Sequence, residues 1–296
     1  MPKRIVEVST EGCYLKLRHR QLIIEREGKE VGTVPIEDMS ALVIDHPQTL
    51  ITQAVLSELV QANVMVISSD EKHQPVGLFL PLDSHTTQTE RIAAQIDLGA
   101  PTRKGLWKQI VKRKVRAQAR VLHDVTGSDA GIAQLEKKVR SGDPDNIEAQ
   151  AARRYWSRLF DSECFKRDRF AEDQNRYLNY GYAVLRALVS RSLCATGLHP
   201  SIGIHHKNRY NSYCLADDLM EPYRPLVDLN VWQIVEDHGH DNEMDREIRR
   251  RLIEIIKREV VMEGERLTLQ GAIQKSAQSL ARVMQGYEKL LSLPEY

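Results

Sequence analysis

The spacing of apolar residues changes partway along this chain, and that change limits the fold more than any single motif. Cys13, Leu15 and Leu17 alternate with Tyr14, Lys16 and Arg18, the two-residue period of a half-buried strand. Residues 22–24, 31–36, 41–44 and 64–67 form further β-rich runs, punctuated by Gly28, Gly32, Pro35 and Pro47. Between the last two runs, Leu50, Val55, Leu59 and Val60 have helical spacing. Beyond Pro81 and a polar hinge at residues 82–86, helical spacing takes over. Asp143-Pro144 reads as a cap with proline in the first helical position, opening a helix that runs through Phe160 and turns Ala151, Tyr155 and Leu159 inward. A second helix over 175–196 carries Leu178, Leu185, Val189 and Leu193 and stops at Gly197. Ile248, Leu252, Ile255 and Val260 define a third, and the series from Ile273 to Leu291, through Ala277, Leu280, Met284 and Tyr287, defines a last. The fold expected is α+β, with a small β-rich N-terminal domain at 1–85 and a larger all-α domain at 86–296. At roughly 150 residues per domain, 296 residues leave room for two cores.

Composition narrows the class. With 42% apolar and 28% charged residues, the chain has ordinary globular usage. No apolar run approaches the ~18 residues of a membrane span, and the first residues lack the apolar core of a signal peptide. Four scattered cysteines, Cys13, Cys164, Cys194 and Cys214, form no Cys-x-x-Cys pair, so neither a disulfide framework nor a thiolate zinc site is indicated. A soluble, cytoplasmic protein with no membrane partner is expected. The net charge of +1 conceals two unlike pieces: residues 1–90 hold 8 basic against 13 acidic side chains, and the remainder carries an excess of +6. Between Pro101 and Arg120 there are eight basic residues and no acidic one. Such a stripe suits a phosphate backbone, although it equally suits a solvated helix face.

Three local patterns carry potential chemistry. Glu148 lies near the start of an amphipathic helix, as either a metal ligand or a partner for the helix dipole. Gly203-Ile204-His205-His206 offers imidazoles, of which at most one can readily coordinate a given ion. In Asp217-Asp218-Leu219-Met220-Glu221-Pro222, a helical turn would put Asp218 and Glu221 on one face, where like charges repel unless a cation or water separates them. Asp237-His238-Gly239-His240-Asp241 fits a flexible loop better than a metal site. Gly181, inside a helix at a cost of about 1 kcal/mol, fits close helix packing.

Taken in order, these patterns resemble the CRISPR-associated spacer-acquisition integrase family, the universal Cas endonuclease of the adaptation module. The resemblance runs from Ile36-Glu37-Asp38 through Glu148, Tyr155-Trp156, Leu178-Asn179-Tyr180-Gly181-Tyr182 and Gly203–His206 to Asp218–Glu221 and Tyr223-Arg224-Pro225. Its Gly-Ile-His-His and Leu-Ala-Asp-Asp forms look most like type II members. The resemblance implies a metal-dependent DNA endonuclease and integrase whose Mg²⁺ or Mn²⁺ is held by Glu148, His206 and Glu221, with Asp218 supporting or forming an alternative site. His206 is preferred to His205 because it completes the family's Gly-x-x-His. Ala149 and Glu221 depart from the glycine and aspartate many relatives have there, which touches geometry rather than ligand type. The resemblance further implies double-stranded DNA substrates (prespacer and CRISPR repeat), a homodimer built partly on the β-rich domain, and a heterohexamer with a small ferredoxin-like partner. Lys108, Lys112, Arg113, Arg116, Arg153 and Arg209 are the expected DNA contacts, with Arg154, Lys166, Arg167 and Arg169 as possible additions. A noncatalytic DNA-binding scaffold and a metallohydrolase of a small substrate are the rival readings.

Overall fold

The computed structural model describes residues 4–9, 11–71, 73–81, 83, 85–160, 165–168, 170–171, 173–239 and 243–296. The chain divides into two compact units, Met1–Asp83 and Ser84–Tyr296.

The first unit contains β1 (Arg4–Val8), β2 (Tyr14–Arg18), β3 (Gln21–Arg26), β4 (Lys29–Pro35), β5 (Met39–Ile44), β6 (Leu50–Ile51), α1 (Gln53–Gln61), β7 (Met65–Ser69) and β8 (Pro75–Phe79). They form two four-stranded sheets, ordered β4-β3-β2-β6 and β1-β5-β7-β8. Strands β2, β3 and β4 pair antiparallel through tight turns at His19-Arg20 and Glu27-Gly28. All four turn residues have positive φ, at 51°, 58°, 48° and 76°, the backbone twist that two-residue hairpins favour. Strand β5 runs parallel to both its neighbours, β1 and β7. Its Ala41-Leu42-Val43 is fully buried, so this strand reads as an unbroken apolar run rather than an alternation. Leu15, Leu22, Ile36, Leu42 and Leu59 belong to one core.

The second unit contains α2 (Gln88–Ile96), α3 (Ala100–Thr126), α4 (Ile132–Glu136), α5 (Ile147–Leu159), α6 (Asn175–Ala195), α7 (Cys214–Met220), a 3-10 turn at Glu221–Tyr223, α8 (Arg224–His238), α9 (Arg246–Glu254), β9 (Glu259–Met262), β10 (Glu265–Thr268) and α10 (Leu269–Met284). It is helical but not purely so. Val260, read as the end of a helix, lies in the β9–β10 hairpin, closed by Glu263-Gly264 with φ of 53° and 77°. The last helix stops at Met284, before Gly286 with φ 82°, and leaves Tyr287 exposed; a left-handed glycine ends a helix whatever apolar spacing follows. Gly181 is explained by packing: a Cβ there would stand 2.5 Å from Val227 Cγ1 of α8.

Among the described residues no helix is long and apolar enough to cross a membrane. Cys13, Cys194 and Cys214 are free thiols. Cys164, Arg169, His240 and Asp241 lie outside the described residues.

Candidate active site

Helix α5 begins later than the Asp-Pro pattern suggests. Asp143, at φ 47°, accepts the N–H groups of Ile147 and Glu148, each at 3.0 Å. One carboxylate therefore satisfies two of the helix's unpaired donors, and Pro144-Asp145-Asn146 make the preceding turn rather than the first helical residues. This fixes Glu148 in the opening turn of α5.

Glu221 sits where α7 passes into the 3-10 turn, with Pro222 behind it. It is 4% exposed. Arg224 Nε donates to its Oε1 at 2.8 Å. Lys114, projecting from α3 and 8% exposed, bridges the two glutamates: its Nζ lies 2.6 Å from Glu148 Oε1 and 2.5 Å from Glu221 Oε2. Burial alone would push the Glu221 carboxyl up, but the adjacent Arg224 and Lys114 cations outweigh it and hold the group well below the usual carboxylate range. Burial likewise disfavours the Lys114 ammonium, and Glu221 and Glu148 together keep it charged. The side chains of Lys114, Gln118, Trp156, Arg167, Tyr182 and Arg224 line a cavity of about 460 Å³ that Glu221 also reaches. Deeper in, the Tyr182 hydroxyl donates to Asp228 Oδ1 at 2.5 Å, and burial raises that carboxyl to about 7.

The histidine loop is assembled around Asp218, which is fully buried. Its Oδ2 accepts the N–H groups of Ile204 at 2.6 Å and His205 at 2.9 Å, and its Oδ1 accepts that of His206 at 3.2 Å. Oδ1 also lies 2.6 Å from His206 Nδ1. That contact is the main reason the imidazole's pKa is raised, with Glu221 adding to the effect. The neighbouring His205 instead stacks flat on Trp107, ring centroids 4.0 Å apart, while the His206 ring stands at 87° to the indole. The two histidines therefore have different tasks. Gly203 has no room for a side chain, since a Cβ would fall 2.3 Å from the His206 carbonyl oxygen. Arg103 Nη1 donates to Gly203 O at 2.8 Å, and Gln95 Nε2 donates to the carbonyls of His199 and Ile202 at 2.9 and 2.8 Å. Sequence patterns did not point to Gln95, Trp107 or the inward role of Lys114. The last had a signal, since Lys114 shares a helical face with Trp107, Ile110, Val111 and Gln118.

The donor set suits a hard cation in part. Two carboxylates from separate elements close on a single positive charge, and Glu221 Oε2 is buried without a hydrogen bond of ordinary geometry despite the nearby ammonium. Such an oxygen pair suits Mg²⁺ or Mn²⁺. Among the described residues, however, no three His, Cys, Asp or Glu side chains stand close enough to share an ion. The structure joins Glu148 to Glu221 and His206 to Asp218, and it does not join all three expected ligands. The oxygens of Asp218 are already committed to backbone donors and the imidazole.

The basic stripe is dispersed around α3. Lys114 faces inward, Arg113 is half-buried, and Arg116 makes a two-point contact with Glu136 at 2.9 and 2.7 Å. Lys108 and Lys112 are half-buried, Arg153 is exposed, and Arg209 lies over the Tyr210 ring. Arg167 donates to the side chains of Asn175 and Asn179 at 2.9 and 2.6 Å.

Residues 6–251 match the family described as CRISPR associated protein Cas1. The chain belongs to the Cas1 family. It is 38% identical over 288 residues to the CRISPR-associated endonuclease Cas1 of Neisseria meningitidis serogroup C (strain 8013), spanning 96% of this chain and 93% of that one. A Cas1 endonuclease from Pyrobaculum aerophilum is 26% identical, over 94% of this chain and 98% of the relative. Among solved structures, a casposase bound to integration product superposes with a TM-score of 0.79 at 19% identity, covering 98% of this chain and 92% of that one. A Cas1 protein from Thermotoga maritima gives 0.78 at 18% identity, covering 99% and 100%. The family expected from the ordered motifs is thus the family found, and both structures share its fold.

Proposed function

We propose that this chain is the DNA nuclease and integrase of CRISPR adaptation, joining the 3′-hydroxyl ends of a prespacer duplex to the CRISPR repeat by transesterification. The observation that carries the reading is the convergence of Glu148 and Glu221 on one cation beside a cavity lined with guanidinium and aromatic side chains. The Neisseria relative named an endonuclease supports phosphodiester chemistry, and the casposase bound to integration product supports strand transfer on this fold. The β-rich unit is read as the dimerisation and DNA-contact domain, and residues 86–296 as the catalytic domain. Complexes named for Cas1 with Cas2 support a small partner of that kind, with a heterohexamer as the expected assembly. The type II-like form belongs to the same reading.

In this reading Glu148 and Glu221 would hold Mg²⁺ or Mn²⁺, and His206, which is not grouped with them in this structure, would join as the third ligand only once the ion is bound. When bound, the ion would polarise the phosphodiester and stabilise the attacking and leaving oxygens of an in-line displacement. The rest is the work of the chain itself. Asp218 holds His206 through Nδ1 and leaves Nε2 as its available donor atom. Arg224 keeps Glu221 ionised and in place. Lys108, Lys112, Arg113, Arg116, Arg153 and Arg209 contact phosphates and give position rather than sequence readout.

The test is integration of a fluorescent 3′-hydroxyl duplex into a supercoiled repeat plasmid, with and without the small partner. Glu148→Ala, His206→Ala and Glu221→Ala should each abolish the joined product while leaving duplex binding largely intact. Full joining by His206→Ala would overturn the histidine assignment, joining by all three variants would remove the ligand set, and no joined product from wild type supplied with Mg²⁺ or Mn²⁺ would favour a noncatalytic scaffold.

A further inference from the structure

We propose that Lys114 is an internal stand-in for the divalent cation. Its ammonium holds the two glutamates together before an ion enters, is expelled when one does, and then becomes a contact for a DNA phosphate in the neighbouring cavity. The proposal rests on the reading of Glu148 and Glu221 as ligands and adds a role for a residue outside that set.

The ammonium and an ion compete for the same space. The Lys114 Nζ makes its two shortest ionic contacts, at 2.6 and 2.5 Å, with oxygens of the two proposed carboxylate ligands. Mg²⁺ sits about 2.0–2.1 Å from its oxygens. An ammonium and an ion bridging the same oxygen pair at such lengths need the same position, so one excludes the other.

They also compete in charge. Lys114 and Arg224 balance Glu148 and Glu221 in pairs. Adding a divalent ion to that balanced, largely buried set leaves an excess of two positive charges, which disfavours leaving Lys114 beside the ion. A DNA strand brings phosphates that reduce the excess. Metal and DNA should therefore favour each other's binding, and the coupling must be reciprocal.

The displaced ammonium also has a place to go. Gln118 follows Lys114 by four residues on α3, and side chains at that spacing share a helix face. Gln118 is 2% exposed and lines the same cavity as Lys114, yet its side-chain oxygen is buried and has no hydrogen-bond partner among the described residues. It is an acceptor suited to a lysine released from the glutamates. The flexible four-carbon stem lets the ammonium change partners while its backbone stays in the helix.

The experiment measures Mn²⁺ binding to the full chain by electron paramagnetic resonance of the free ion, with and without a duplex. It compares wild type with Lys114→Met, Lys114→Gln and Arg224→Met. Without DNA, Lys114→Met should bind Mn²⁺ more tightly, within the roughly 5- to 150-fold span usual for coupled sites. It should lose most of the gain in affinity that the duplex gives wild type. Its melting temperature should fall without Mn²⁺ and recover with it, and Lys114→Gln, which keeps polar contacts, should follow the same pattern if the methionine variant folds poorly. Unchanged or weaker Mn²⁺ binding by folded Lys114 variants would overturn the proposal, as would an equal gain in Arg224→Met, because that would be a general charge effect. Mn²⁺ binding that survives in a Glu148→Gln, Glu221→Gln double variant would instead remove the ligand reading on which it rests.

Discussion

The carboxylate of Asp218 and the imidazole of His206 meet at 2.6 Å through Nδ1, and the same carboxylate gathers the backbone N–H groups of residues 204–206. A single buried side chain thus sets both the path of the loop and the direction of the ring. Asp218→Asn keeps the shape but replaces one acceptor oxygen with a donor, facing groups that need acceptors. The expected result is a 10- to 100-fold fall in integration, about what is lost when a partner that orients a metal-binding histidine is removed. Melting temperature should fall as well, and integration assays paired with thermal unfolding check both.

Gly203→Ala tests the same loop from the other side. The added Cβ would meet the His206 carbonyl oxygen at 2.3 Å and Cys214 Cβ at 2.9 Å. Backbone cannot yield as a side-chain tip can, so the variant should lose about 1–3 kcal/mol of stability. Denaturant unfolding reads this directly, and strand transfer should drop with it even though no reacting group has changed.

Much of this was legible in the sequence, for physical reasons that differ from part to part. β2 declared itself because a half-buried strand must alternate, and β3 did so through the unbroken β-rich run Leu22-Ile23-Ile24. The edge strands β1 and β8 did not, since neither is buried along its length. Glu148, His206 and Glu221 stood out by residue type and motif. The position of Lys114 did not, because counting charge treats every lysine on a helix alike, and only its place among Trp107, Ile110 and Val111 shows that it turns inward. Likewise the start of α5 depended on Asp143 adopting φ 47°, a conformation that a capping rule written for extended caps does not anticipate.

Asp228 gives a pH signature. Its carboxyl, pushed by burial to about 7 in the fold, titrates near 3.9 when unfolded. The folded state therefore holds a proton that the unfolded chain has released between those values. This contribution is fully present below pH ~4 and is lost as pH rises through about 7, by at most about 1.4 kcal/mol per unit. Asp228→Asn keeps an acceptor for the Tyr182 hydroxyl and removes the titration. Wild type should lose stability relative to this variant between pH 5 and pH 7, measured by urea unfolding across that range. Parallel curves would contradict the expectation.

For the basic residues, the prediction is one of rank. Lys108→Glu combined with Lys112→Glu should flatten the salt dependence of duplex binding by about 0.9 in log–log slope for each phosphate that is no longer neutralised. Arg116→Glu should do less, because Glu136 already engages that guanidinium at two points. Fluorescence anisotropy over a salt series separates the two variants.

Helix α3 touches every part of the proposed centre. Near its start Arg103 latches the carbonyl of Gly203, one turn on Trp107 lies against His205, and Lys114 reaches both glutamates. From Arg103 to Lys114 is roughly 16 Å of helix axis at 1.5 Å per residue. The helix therefore acts as a rigid spindle: a tilt or slide of it carries the imidazole arm and the acidic pair in step, so the centre is adjusted as one body and not ligand by ligand.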